Sequence, residues 1–171
     1  MKKLLIIAVL ALAILAGCGS TAELPEIRQD ALSEVFIFQS DLDADTTYIE
    51  SEAVHQQLVS WYEESRRPQE LNETLPGSYF QDDRAFNILV MKMGDEERLV
   101  LYALYTRDRD AVLYMEHFLG EGPEARRKSY QTSSQRLFNF IVELRELTGD
   151  GPVGEDMIAD LAADIEARYS N

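Results

Sequence analysis

Phe86-Asn87-Ile88-Leu89-Val90-Met91-Lys92-Met93, then Leu99-Val100-Leu101-Tyr102-Ala103-Leu104-Tyr105-Thr106, then Ala111-Val112-Leu113-Tyr114-Met115-Glu116-His117-Phe118: these three runs decide the fold. Each has strand length, and each is rich in the β-branched, aliphatic and aromatic side chains that fit a pleated surface. Gly94-Asp95-Glu96-Glu97 joins the first two, and Arg107-Asp108-Arg109-Asp110 joins the second pair. Connections so short leave no room for the crossover that parallel strands need, so the three runs form antiparallel hairpins and together a meander.

Upstream, Val35-Phe36-Ile37-Phe38 reads as a strand, with Thr46-Thr47-Tyr48-Ile49 as its hairpin partner across the acidic loop Asp41 to Asp45. From Ser51 the period changes. Val54, Leu58, Trp61 and Tyr62 share one helical face, and the helix is expected to end in the Arg66-Arg67 region before Pro68. Pro68 to Asp83, with Pro76 and Gly77, reads as a long loop. Downstream, Gly120-Glu121-Gly122-Pro123 breaks the third strand, and a basic loop, Arg126-Arg127-Lys128, follows. Thr132 and Gln135 have capping-box spacing and open a helix carried by Leu137, Ile141, Leu144 and Leu147. Gly149 and Pro152 punctuate the chain before a last helix, whose expected face is Val153, Met157, Leu161 and Ile165. This order predicts an α+β fold: an antiparallel sheet of an N-terminal strand or hairpin plus the meander, an amphipathic helix between them, and two C-terminal helices packed on one face.

The first eighteen residues are of another kind. Lys2 and Lys3 precede thirteen uninterrupted apolar residues, Leu4 to Ala16, and then Gly17-Cys18. A positive start, a short apolar stretch and small residues make a secretory leader; thirteen residues fall short of the roughly 20 that span a bilayer. Leu15-Ala16-Gly17-Cys18 resembles the lipobox of bacterial lipoproteins. That resemblance implies diacylglycerol transfer to the Cys18 sulfur, cleavage before Cys18 and acylation of the new amino terminus. The expected organisation is a signal peptide over 1–17, a lipidated tether over 18–32 and one α+β domain over 33–171. Gly19 replaces the aspartate of the Cys-Asp pair that retains Gram-negative lipoproteins at the inner membrane. The expected location is a cell membrane, lipid-anchored, on its extracytoplasmic face.

The chain has 16 basic and 31 acidic side chains, a net charge of −15, and loss of Lys2 and Lys3 with the leader makes the mature product more negative still. Such a field repels nucleic acid. It also opposes contact with anionic lipid, so the acyl chains supply the membrane attachment and a stand-off from the surface is expected. Cys18 is the sole cysteine, which leaves no disulfide, so stability has to come from a core.

The order of elements carries a second resemblance. Thr47-Tyr48-Ile49 running into the Ser51 helix, Arg66-Arg67-Pro68, the three strands, and Leu137-Phe138-Asn139-Phe140-Ile141 together look like an uncharacterised domain of small secreted or lipid-anchored Gram-positive proteins. It implies location and fold class, and no reaction.

Asp41, Asp43 and Asp45 with Glu52 reproduce positions 1, 3, 5 and 12 of an EF-hand calcium loop, but Thr46 stands where the sharp turn needs glycine, and a strand precedes it. An acidic hairpin loop is the favoured reading. His55 and His117, the two histidines, have no spacing that makes them metal ligands, and no nucleophile motif or phosphate-cradling loop is present. No cofactor is implied. Arg126, Arg127 and Lys128, with Arg107 and Arg109 at the neighbouring turn, are the main basic concentration and the candidate contact for an acidic partner or envelope polymer. Trp61 and Tyr62 suit a core better than a ligand groove shared with Tyr79 and Phe80. The expected activity is that of a non-enzymatic binding or accessory module for a protein or envelope component. A small carboxylate-using envelope hydrolase and a calcium-dependent module are the alternatives.

Overall fold

A computed structural model describes residues 22–39, 46–71, 87–105, 111–120, 122, 125–149 and 153–170. The strands are β1 (Leu32–Gln39), β2 (Thr47–Tyr48), β3 (Arg66–Leu71), β4 (Asn87–Met93), β5 (Glu97–Tyr105), β6 (Ala111–Leu119) and β7 (Arg126–Ser133). The helices are α1 (Glu52–Glu63), α2 (Gln135–Gly149) and α3 (Glu155–Tyr169). The fold is α+β, built on one seven-stranded sheet in the order β2-β1-β4-β5-β6-β7-β3. All the pairings are antiparallel.

The meander β4-β5-β6 forms as its pattern requires, in unbroken register with Leu89 opposite Leu101 and Leu101 opposite Met115. Period-two alternation sends Val35, Ile37, Leu89, Met91, Leu99, Leu101, Leu113, Met115 and Tyr130 to one face, where they join the helices in the main core. Gly94 closes the β4-β5 turn at φ +69°, a left-handed conformation open to glycine without penalty.

Ser51 caps α1, its hydroxyl accepting from the Val54 N–H at 3.4 Å. Val54, Leu58, Val59, Trp61 and Tyr62 are buried. Trp61 stacks edge-on against Phe140 of α2 at 5.9 Å and donates its indole N–H to Glu166 of α3 at 2.7 Å, so one side chain joins all three helices.

Several expectations are corrected. α1 stops at Glu63, and Arg66-Arg67-Pro68 is already β3, so the loop expected from Pro68 begins after Leu71; residues 72–83 lie outside the described residues. The basic loop Arg126-Arg127-Lys128 is the start of strand β7, between β6 and β3. What β7 buries is largely polar: Ser129 and Thr132 are satisfied by the Tyr114 hydroxyl and the Arg66 carbonyl. Thr132 therefore belongs to the sheet, and the serine that caps α2 is Ser134, which accepts from the Leu137 N–H at 3.4 Å. Pro152 lies outside the described residues.

The domain also begins before residue 33. Ala22 donates its N–H to the Pro68 carbonyl at 3.1 Å, the Tyr62 hydroxyl donates to Pro25 O at 2.6 Å, and Ile27 is buried in the core. Arg28 reaches Glu97 at 4.0 Å, and the Ala31 carbonyl accepts from Gly94. Residues 22–31 thus form a strap from the β3 edge, through the core at Ile27, to the β4-β5 turn and β1. Ile27 is alone among polar neighbours and carries no period, yet burying it stabilises the fold by roughly 1.5–3 kcal/mol.

Candidate functional site

Apart from Arg127, the residues of the sheet that point away from the helices were not singled out from the sequence, and they hold a polar cluster around Glu116. Along β6, Val112, Tyr114, Glu116 and Phe118 alternate onto this second face, and the register sets Tyr102 of β5 opposite Tyr114 and Ser129 of β7 opposite Glu116. Glu116 is 9% exposed. Its carboxylate accepts from the Tyr102 hydroxyl at 3.2 Å and the Tyr114 hydroxyl at 3.3 Å, and the Arg127 guanidinium lies 3.4 Å away. The Tyr114 and Ser129 hydroxyls are hydrogen-bonded to each other at 3.0 Å. Burial pushes the Tyr102 phenol well above its ordinary range, and the Glu116 charge and hydrogen bond push it further. The signal that would have found this cluster is the period-two Tyr-x-Glu of β6, once the short β5-β6 connection sets the register.

Buried Val90, Leu104 and Tyr114 on this face are outside the helix-side core. Around them Phe36, Tyr102 and Phe118 are half-buried, and Tyr48 is 54% exposed against Phe36. The Arg98 guanidinium lies 4.6 Å from the centre of the Phe118 ring.

Strand alternation divides the basic trio. Arg127 joins Glu116 on the second face, while Arg126 and Lys128, opposite Leu119 and His117, point the other way. Lys128 pairs with Glu70 at 3.3 Å across the β7-β3 boundary. The trio is therefore no single patch. Arg107 and Arg109 lie outside the described residues, as do Cys18, Asp41, Asp43, Asp45, Tyr79 and Phe80. Glu52, the remaining member of the proposed calcium set, is the exposed first residue of α1, and its carboxylate accepts from Gln56 at 3.5 Å. The expected strand before the acidic loop is present as β1.

The histidines have separate partners. His55 donates Nε2–H to the Ile49 carbonyl at 2.6 Å, and His117, 7% exposed, sits 2.7 Å from the Glu97 carboxylate. Among the described residues no three His, Cys, Asp or Glu side chains gather to hold a metal ion. Beside Glu97, a cleft of about 400 Å³ opens at the hairpin end of the sheet, lined by Glu34, Lys92, Asp95, Glu96, Glu97 and Arg98 among others. Glu34 is committed to Lys92 at 2.7 Å and Glu97 to His117 and Arg28, while Asp95 and Glu96 stand exposed on the turn. Trp61 and Tyr62 are core residues, and burial pushes the Tyr62 phenol far up.

Removing Glu116 tests how this cluster is held. Glu116→Ala leaves the Tyr102 hydroxyl without this acceptor and is expected to cost about 1–3 kcal/mol in chemical denaturation, with Glu116→Gln costing less because an acceptor oxygen remains. In spectrophotometric titration the Tyr102 phenol of Glu116→Ala should ionise at lower pH than in the parent, yet stay above the ordinary range, since burial is its largest cause. An unchanged titration would remove the charge coupling.

No protein-family model, no curated protein and no solved structure matches the chain.

Proposed function

We propose that this chain is a lipid-anchored domain at the extracytoplasmic face of a bacterial cell membrane, acting without catalysis as a binding or accessory module for a protein or envelope component. The leader and Cys18 support the location: a thiol stands where lipobox chemistry needs one, and the chain has no other.

The single observation that carries the binding role is the makeup of the second sheet face. Tyr48, Phe36, Tyr102 and Phe118 offer rigid aromatic area at low conformational cost, and Arg98 and Arg127 stand among them in fixed geometry. Aromatic residues with arginine are the composition that dominates binding energy at protein contacts. Of the basic trio expected from sequence as the contact, only Arg127 belongs to this face.

The test is photocrosslinking on intact cells with the reactive group at Tyr48, where the ring is exposed. A discrete adduct is expected, and Phe36→Ala together with Arg98→Ala should reduce its yield several-fold while the chain stays folded and anchored. Labelling indistinguishable from that of an unrelated surface protein, or insensitive to these substitutions, would sink the reading.

A further inference from the structure

The strap shortens the tether. The described chain is already docked at Ala22, whose N–H is bonded to Pro68 of the edge strand β3, and from there it passes through the core at Ile27 to Arg28, beside Glu97. Only four residue steps separate Ala22 from Cys18. Fully extended, four residues span about 14 Å, less than half the reach of the fifteen-residue tether expected from sequence.

We propose that the edge formed by β3 and the start of the strap is the membrane-facing side of the domain, held at the lipid headgroups by this four-residue leash. The inference rests on lipidation of Cys18. It replaces the expected stand-off with an orientation. From β3 the sheet runs six strand spacings to β2, so at about 4.8 Å each the opposite edge lies about 29 Å further out. The sheet then stands with Arg66, Arg67 and Gln69, all exposed, at the bilayer, and with Tyr48 and Glu50 turned to the exterior.

Leash length, not charge, sets this approach. Arg66 and Arg67 attract anionic headgroups, but Glu23 and Glu26 of the strap are exposed beside them, and Glu64 is paired with Arg136 at 2.6 Å. The edge is of mixed sign, and the orientation should therefore persist in high salt, which screens surface charge. Arg67 is in the left-handed region at φ +55°, where a register shift between Arg66 and Gln69 bends β3 next to the Pro68 carbonyl that receives the strap.

With the Cys18 sulfur acylated, a cysteine introduced elsewhere is the sole free thiol. Gln69→Cys and Glu50→Cys, both at exposed positions, are to be labelled with an environment-insensitive fluorophore and reconstituted as the full lipidated chain in phosphatidylcholine–phosphatidylglycerol vesicles carrying a headgroup nitroxide. Quenching at position 69 is expected to exceed that at position 50 several-fold, at low salt and at molar salt alike. A flexible insert of about 20 Gly/Ser residues between Ser20 and Thr21, adding a mean reach of about 25 Å, should bring the two positions toward equality. Equal quenching in the parent, a preference that salt abolishes, or a preference that survives the insert would each overturn the leash. Mass spectrometry of the purified chain separates the two levels: an unlipidated Cys18 removes the anchor and this inference together, whereas equal quenching of a lipidated chain removes only the inference.

Discussion

Trp61→Ala is expected to destabilise the domain by about 3–5 kcal/mol, a large share of the 5–15 kcal/mol that holds a domain of ordinary size together. Trp61 is 1% exposed and sits where α1, α2 and α3 meet. Truncation opens a cavity beside Phe140 and removes a donor from Glu166. The two losses can be separated in part by Trp61→Phe, which keeps much of the apolar volume while deleting the indole N–H. Glu166 is held below its ordinary carboxylate range, first by the Ser170 hydroxyl and then by Trp61. A carboxylate so lowered adds stability above its unfolded-state pKa, and that stability is lost as pH falls through the lower folded-state value. Trp61→Phe should accordingly lose less stability than the parent between neutral pH and the acid side of the carboxylate range. Urea denaturation at both pH values checks this. A Trp61→Ala midpoint equal to the parent's would mean that the three helices do not depend on this contact.

The parts of this fold that were legible in the sequence are those whose burial is apolar. Leu89, Leu101, Leu113 and Met115 lie fully buried inside near-continuous apolar and aromatic runs, and β4, β5 and β6 follow from those runs and their short connections. β7 and β3 were not legible, because β3 buries no residue and β7 sets a single buried aromatic, Tyr130, between Ser129 and Thr132, whose hydroxyls find partners on Tyr114 and Arg66. A strand stabilised by satisfied hydroxyls has the composition of a loop. The last helix was legible in type but not in phase. Met157, placed on the apolar face by its four-residue spacing from Val153 and Leu161, is 45% exposed, and the buried stripe is Ile158, Ala162 and Ile165. A strict repeat of four drifts about 40° per step around a helix of 3.6 residues per turn, whereas 158, 162 and 165 keep one side. Ala162 hid the stripe: its small side chain carries little hydrophobic signal, although its carbonyl accepts from Gln57 of α1 at 3.2 Å. The Glu116 cluster was hidden for a related reason. A carboxylate scores as surface, and only the pairing of β5, β6 and β7 brings two phenols and a guanidinium to it.

Cys18→Ser carries the other large effect, and it is all-or-none. Lipobox chemistry makes a thioether at sulfur, which a serine hydroxyl, far less nucleophilic at neutral pH, does not replace. If cleavage follows lipidation, the variant should keep residues 1–17, migrate as the larger precursor and incorporate no labelled fatty acid. Fractionation alone is a poor readout here: the retained leader brings thirteen apolar residues, so the precursor can stay with the membrane by a different physical means. Fatty-acid label and mass decide instead. The parent should carry acyl chains on Cys18, and two or more of them give stable attachment where one gives only marginal binding. Wild-type labelling of Cys18→Ser would show that the lipid, if any, sits elsewhere. The four-residue leash would then have no anchor point, and the extracytoplasmic reading would rest on the leader alone.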